Sequence, residues 1–399
     1  MEERIAGLKR KFCEIYGGSE GDLRIFAAPG RVNLIGEHID YCGGYVFPAA
    51  LTLDTMVVLR KRNDRTLRLT ATDLPDRVEV DLDSLEAAKS LKWGNYQAGV
   101  AHELQKAGYK LIGADMLYDG TIPYGSGLSS SASIEVATAV ALVTAGREEH
   151  GVHTPVNLVE MAVIGQRAEN NFCGVSCGIM DQFASAMGKK GNAILLDCGT
   201  LNYKYAPLKL QGHKIVLGNT RKKRSLAESK YNERIKEVTR GFEILKRYMP
   251  EKANLCDITA DEYEAYKSSI TDDTIRKRVE HVIYENTRVL KSYEILMKGE
   301  LSVFGRYLEA AHASIRDLYE VTGNELDTMV DEALKVDGVV GARMTGAGFG
   351  GCTVNIVRED RVDEFIKTVG ENYTIKTGIT PEFYVCEIGD GGREIKEGL

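Results

Sequence analysis

Four ionisable side chains, Arg31, Glu37, His38 and Asp40, fall within ten residues of a segment that is otherwise apolar and glycine-rich, APGRVNLIGEHIDYCGGYVFP from Ala28 to Pro48. Apolar composition draws such a stretch into a core, where each charge is costly unless it is paired or hydrogen-bonded. The fold must therefore bring partners to it from elsewhere in the chain. Two arrangements meet that requirement: a buried salt-bridge network at a tight turn, or a ligand site. Two carboxylates and an imidazole suit the hydroxyls of a sugar, and a guanidinium suits a phosphate or a developing negative charge.

Three further segments carry chemistry. Pro123 to Ser133 (PYGSGLSSSAS) runs directly into a helical stretch, Ile134 to Thr144. Gly125 and Gly127 let the backbone approach an anion, and the serines cap a helix whose N-terminal N–H groups favour negative charge, a phosphate cradle; a plain Ser/Gly turn before a capped helix has the same composition. No Walker A loop and no kinase HRD or DFG triplet occurs. Met344 to Cys352 (MTGAGFGGC) contains a literal G-x-G-x-x-G, but it leads into a strand-like run rather than a helix, against a dinucleotide fingerprint. It reads as a turn closing over a phosphate or against the serine segment, or as a tight hairpin. In Ala168 to Phe183 (AENNFCGVSCGIMDQF), Asp181 is either a helix N-cap or a general base.

The 399 residues suit two or three domains. Apolar residues at 43% and charged residues at 27% describe a globular chain, and a net charge of −7 leaves no basic field for nucleic acid. Eight scattered cysteines and an acidic start without an apolar h-region point to a cytoplasmic protein with free thiols; Cys173 and Cys177 alone do not make a zinc site. The most apolar run, Val136 to Ala145, is too short to span a bilayer.

Strands are expected at Thr55 to Leu59, Thr66 to Thr70, Asn192 to Cys198, Lys214 to Gly218, Cys352 to Val357 and Glu382 to Ile388. Helices are expected at Tyr96 to Ala107, Ile134 to Thr144, Val156 to Asn170, Ser225 to Tyr248 and Val362 to Val369, the fourth carrying the stripe Ile235, Val238, Phe242 and Leu245. The pattern shifts near residue 210, giving units of 1–210 and 211–399.

Taken together, these segments resemble the galactokinase branch of the GHMP small-molecule kinases over nearly the whole chain. Gly30 to Gly44 resembles the branch's sugar signature, Pro123 to Ser133 the shared nucleotide motif, and Thr345 to Gly351 the third Gly-rich motif. The resemblance implies an α/β (α+β) fold of two domains with the active site in the cleft between them. It implies ATP-dependent phosphorylation of galactose at its C1 hydroxyl, with Mg2+ and with no obligate protein partner. It places Asp181 as catalytic acid-base and Arg31 as stabiliser of the transferring phosphoryl group. Glu37, His38, Asp40, Gly178, Asp181 and Tyr231 fall at sugar positions. Gly125, Ser126, Gly127, Leu128, Ser129, Ser130 and Ser131 fall at the phosphate loop, Trp93 near the adenine, and Ser131 with Glu169 at magnesium positions.

Ile39 and Cys42 stand where the branch usually shows Thr and Asn, which opens a related sugar such as N-acetylgalactosamine as an alternative substrate. A second alternative is a non-catalytic sensor of galactose and ATP; such sensors lack residues of the Ser/Ala run, which is complete here from Ser129 to Ala132.

Overall fold

A computed structural model describes residues 1–223 and 227–396. A first helix, α1 (Glu2–Tyr16), precedes β1 (Arg24–Asn33), β2 (Tyr45–Val46), β3 (Pro48–Lys61), β4 (Thr66–Ala71) and β5 (Val78–Asp81). Then come α2 (Asn95–Lys106), β6 (Ala114–Gly120), α3 (Ser130–Glu149), α4 (Leu158–Arg167), α5 (Met180–Met187), β7 (Asn192–Asp197) and β8 (Tyr203–Pro207). The remainder comprises β9 (His213–Asn219), α6 (Ala227–Lys246), α7 (Ala260–Tyr266), α8 (Asp273–Met297), α9 (Leu301–Ser314), α10 (Asn324–Ala333), β10 (Val339–Thr345), β11 (Cys352–Arg358), α11 (Val362–Thr377), β12 (Glu382–Cys386) and β13 (Arg393–Ile395).

The strands form a six-stranded sheet in the order β13-β1-β3-β6-β4-β5, a four-stranded sheet β10-β11-β9-β12, and a small sheet β2-β7-β8. The large sheet is antiparallel except where β4 runs parallel to β6. Against it lies α3, buried through Val136, Ala137, Val140 and Leu142, as an apolar run interrupted only by Thr138 and Thr144 requires. Early and late strands separate between Pro207 and His213, but the tail returns: Ile388 bridges to Leu51 and β13 pairs with β1. Among the described residues no helix is long and apolar enough to cross a membrane.

Several expected helices differ at their ends; the one expected at Ile134 to Thr144 runs longer on both sides as α3, Ser130–Glu149. Val362 was expected to start a helix ending at Val369, yet α11 continues to Thr377, because Phe365, Val369 and Tyr373 make a buried stripe that carries the helix through Gly370. The helix expected over Val156 to Asn170 runs as α4 to Arg167 and then widens into a π-helical turn, Ala168–Cys173, which re-aims Glu169. The Ser225 end of the expected 225–248 helix lies outside the described residues; α6 covers Ala227–Lys246 and stops two residues before the expected Tyr248.

Candidate active site

A bulge between Pro29 and Arg31 breaks the register of β1 on β3. There Gly30 passes so close to the 121–129 loop that a Cβ would sit 2.5 Å from the Leu128 carbonyl oxygen, so only glycine fits. This contact delivers Arg31, 3% exposed, under the loop. Its Nε and Nη2 donate to Asp181 Oδ1 and Oδ2 at 2.8 and 2.9 Å, and its Nη1 donates to the Gly127 carbonyl at 2.7 Å. Ser129, held in the left-handed region at φ 64°, donates its hydroxyl to Asp181 Oδ2 at 2.6 Å. Asp181 thus joins the signature strand, the serine loop and α5.

These contacts correct one expectation and decide another. The serines do not cap α3 with a side chain: Ser129 holds the N-cap position, but its hydroxyl is committed to Asp181, so the first N–H groups of the helix keep no side-chain acceptor. Asp181 is not an N-cap either, since Ile179 occupies that position and Asp181 lies in the first turn. Within the loop, Gly125 and Gly127 take φ of 69° and 79°, Ser126 is buried with its hydroxyl bonded to the Pro123 carbonyl, and Leu128 is buried beneath. Ser130 and Ser131 open onto a pocket of about 420 Å³ that also has Trp93 in its wall.

On the other side of Asp181 lies a cavity of about 70 Å³ lined by Arg31, Glu37, His38, Asp40, Gly178 and Tyr231, among others. Three of the signature's four ionisable groups are paired within the protein, although Glu37 Oε2 meets Arg343 only as an ion pair and Nε and Nη2 of Arg343 have no hydrogen-bond partner among the described residues. Glu37, 1% exposed, accepts from the Gly346 N–H at 3.0 Å and the Thr345 hydroxyl at 3.2 Å, and its other oxygen pairs with Arg343, which is fully buried. Burial pushes the Glu37 carboxyl up, while Arg343 opposes that shift. The third Gly-rich segment, a turn between β10 and β11, therefore closes on the signature through Glu37.

His38, at φ 62°, has Nδ1 2.8 Å from the Tyr41 hydroxyl and Nε2 3.1 Å from the Ala347 carbonyl. A carbonyl only accepts, so the proton belongs on Nε2 and Tyr41 donates to Nδ1. Burial, then the nearby His281, lowers the imidazole to about 3, so it is neutral. The Tyr231 ring sits 5.4 Å from His38 and 5.5 Å from Tyr41.

Asp40 is the exception. Among the described residues no cation forms an ion pair with it, and burial followed by the Asp181 charge pushes its carboxyl up to about 6. Its room comes from Gly178, where a Cβ would lie 1.8 Å from Asp40 Oδ2. Ile39 and Cys42 are both buried and neither lines the cavity.

Sequence reasoning missed the supports. Glu285 on α8 accepts from the Gly36 N–H at 3.0 Å, Asn286 accepts from the Tyr45 N–H at 2.8 Å, and His281 Nε2 meets the Glu37 carbonyl at 3.2 Å. Gln182 Nε2 donates to both Glu169 and Glu135, at 2.7 and 2.9 Å. Glu135 is the one charge between Ser130 and Gly146, and Arg343 the one charge in β10; a solitary charge in an apolar element was the available signal.

Glu169, 8% exposed, is raised to about 7 by burial and the Asp181 charge, against a hydrogen bond from Ser131. Among the described residues no group of three or more His, Cys, Asp or Glu is arranged to hold a metal. A hydroxyl and a carboxylate in contact nonetheless suit Mg2+, which takes oxygen ligands and normally completes its shell with water and phosphate oxygens. None of the eight cysteines forms a disulfide.

Three family models match: the galactokinase galactose-binding signature at residues 10–61, the GHMP kinases N terminal domain at 95–189, and the GHMP kinases C terminal domain at 293–375. The chain is 48% identical to a galactokinase of Clostridium tetani, with 98% of each chain covered, and 44% identical to one of Bacillus subtilis, with 99% of this chain and 100% of that one covered. A solved structure of Lactococcus lactis galactokinase complexed with galactose superposes with a TM-score of 0.92 at 42% identity, covering 98% of this chain and all of that one. Methanococcus jannaschii mevalonate kinase, at 19% identity and a TM-score of 0.63 over 93% of this chain and 99% of that one, shares the fold.

Proposed function

The chain belongs to the galactokinase family of the GHMP kinases, and from that premise we propose that it transfers the γ-phosphoryl group of ATP to the C1 hydroxyl of galactose. The observation that carries this reading is the Arg31–Asp181–Ser129 junction, which sits between the small cavity and the serine loop. Galactose occupies the cavity, the ATP phosphates lie against residues 125–131, and adenine enters the 420 Å³ pocket beside Trp93. Asp40 accepts from sugar hydroxyls as a carboxylate without a cationic partner of its own. His38, Glu37 and Tyr231 shape the wall, and Gly178 keeps it open.

Phosphoryl transfer depends on positioning and charge neutralisation rather than on covalent work by the protein. Arg31 lies within reach of both sides of the junction and stabilises charge on the transferring group. Asp181, receiving three hydrogen bonds, is fixed in orientation; it holds the C1 hydroxyl and takes its proton as the C1 oxygen bonds to the γ-phosphorus and the bond from that phosphorus to the β–γ bridging oxygen breaks, releasing ADP. When bound, Mg2+ neutralises phosphate oxygens, and Ser131 and Glu169 are the residues that would hold it. The described residues of the units 1–210 and 211–399 face each other across the cleft, except that the tail from Ile388 through β13 packs on the first unit, and the protein works in the cytoplasm.

A related sugar is the weaker reading, because Ile39 and Cys42 pack behind the cavity rather than in its wall. The test is ADP release with galactose, 2-deoxygalactose, N-acetylgalactosamine, glucose and arabinose. Galactose is expected to give the highest kcat/KM; ADP release with none of them, despite binding of galactose and ATP, would favour a sensor.

A further inference from the structure

Glu169 stands in the π-helical turn Ala168–Cys173, and its side-chain hydrogen bonds come from Ser131, Cys177 and Gln182 rather than from a cation. A hydroxyl turns about its C–O bond and a thiol is a weak donor, whereas a carboxamide presents two N–H groups in one fixed plane. Gln182 is fully buried, and its Nε2 donates to Glu169 Oε2 at 2.7 Å and to Glu135 Oε2 at 2.9 Å. Both amide hydrogens are thereby used, one on each carboxylate. Turned over, the amide would set its own oxygen against two carboxylate oxygens, so its orientation is fixed.

Three elements meet at this fork. Glu135 lies one turn after Ser131 on α3, so a single face of that helix carries both the hydroxyl and the carboxylate. Gly165 on α4 leaves room for the pair, since a Cβ there would lie 3.1 Å from Gln182 Cγ and 3.3 Å from Glu135 Cβ. On α5, Gln182 follows Asp181, which Arg31 and Ser129 hold in place. The arrangement is costly: Gln182 Oε1 and Glu135 Oε1 are buried without a hydrogen-bond partner among the described residues, a cost that apolar side chains of the same size would avoid. We infer that Gln182 is a positioning residue, its carboxamide braced on Glu135 and setting the Glu169 carboxylate for Mg2+. This rests on the kinase reading above, in which Ser131 and Glu169 hold the cation. A ligating carboxylate that loses its hydrogen-bonding partner loses metal affinity with it.

The experiment measures Mn2+ binding to the enzyme–ADP complex by electron paramagnetic resonance, and ADP binding without a divalent cation by calorimetry, for the wild type, Gln182→Met, Gln182→Met with Glu135→Met, and Glu169→Gln. Gln182→Met, close in volume and without N–H groups, should weaken Mn2+ binding by about 10-fold while metal-free ADP binding changes less than about 3-fold. In galactose phosphorylation its half-saturating Mg2+ concentration should rise by about 10-fold, with KM for galactose changed less than about 3-fold. Because Gln182→Met leaves Glu135 buried without its donor, the double variant removes both partners; its Tm should return toward the wild-type value and its Mn2+ binding should stay weak. Wild-type Mn2+ affinity in Gln182→Met or in the double variant, or an equal weakening of metal-free ADP binding, overturns the inference and leaves the fork as packing around Glu135. If Glu169→Gln also binds Mn2+ as the wild type does, the assignment of Glu169 to the cation falls and the inference falls with it; weak binding in Glu169→Gln alone overturns only the role of Gln182.

Discussion

The two hollows on either side of Asp181 are built on opposite plans. The sugar-side cavity of about 70 Å³ is lined by charged and polar groups, three of which the protein itself pairs, Arg31 with Asp181, Glu37 with Arg343 and the Gly346 N–H, and His38 with Tyr41 and Ala347, while Asp40 has no cation among the described residues. The nucleotide-side pocket of about 420 Å³ is walled largely by apolar and aromatic side chains, Leu74, Trp93, Tyr96, Tyr118 and Ile134 among them. The first is organised before any ligand arrives, so its binding energy is not consumed in ordering charges. The second offers stacking and burial to a flat base. Position is fixed where bonds are made and broken, and selectivity is left open where the ligand is only held.

If the sugar side is pre-organised by internal pairing, removing one partner should damage the fold before it damages chemistry. Arg343→Met leaves Glu37 buried beside no cation, and about 3–5 kcal/mol of stability should be lost, read from chemical denaturation midpoints. A loss below about 1 kcal/mol would mean that the pair does not organise the cavity.

Asp181→Asn separates organisation from reaction, since it keeps shape and removes basicity. Its kcat should fall by ~10²-fold or more while galactose affinity, measured by calorimetry, stays near the wild-type value. Unchanged kcat would remove Asp181 from the chemistry and reduce the junction to structure.

A pH series sharpens the contrast between Asp40 and the paired groups around it. Asp40 is expected to accept sugar hydroxyls as a carboxylate, so KM for galactose should rise by up to about 10-fold per unit as pH falls below about 6. His38, at about 3, stays neutral through this range and contributes no such limb. The linked stability runs the other way. A carboxyl raised from 3.8 to about 6 binds more protons in the folded protein than in the unfolded chain between those values, so stability falls as pH rises through that window. Asp40→Asn should flatten that slope and abolish the KM limb; persistence of both would assign them to another group.

The smallest effect is expected from Ile39→Thr with Cys42→Asn. Both side chains are buried and outside the cavity wall, so ratios of kcat/KM between galactose and its analogues should move less than about 3-fold while Tm shifts. A ~10-fold shift in those ratios would show that packing behind the cavity reshapes it and would return the related-sugar reading.

Local order was legible wherever one segment carried its own signal. The strand at Thr66 to Thr70 lies within β4, the helix expected at Tyr96 to Ala107 is α2 at Asn95–Lys106, and the Gly346 turn leads into β11. The close approaches that require glycine at Gly30 and Gly178, to the Leu128 carbonyl and to Asp40, were not legible in their own segments, because each is made with a distant segment. The serine run illustrates the limit. Its composition announces a helix start, but whether Ser129 caps that helix or holds Asp181 depends on α5, 52 positions away. The length of α11 likewise depended on its buried stripe.

The sequence by itself determined which charges had to be compensated: four ionisable groups in an apolar, glycine-rich segment could not be left alone, and the resemblance carried by that segment named the reaction class. Only the tertiary structure decided with what they were compensated. Glu37 meets Gly346 across 309 positions, Gly36 meets Glu285 across 249, and Arg31 meets Asp181 across 150. The reason is physical: the cost of a buried charge is a property of one residue and its local surroundings, whereas its relief is a contact between distant segments at bonding distance, which exists only once the chain has folded.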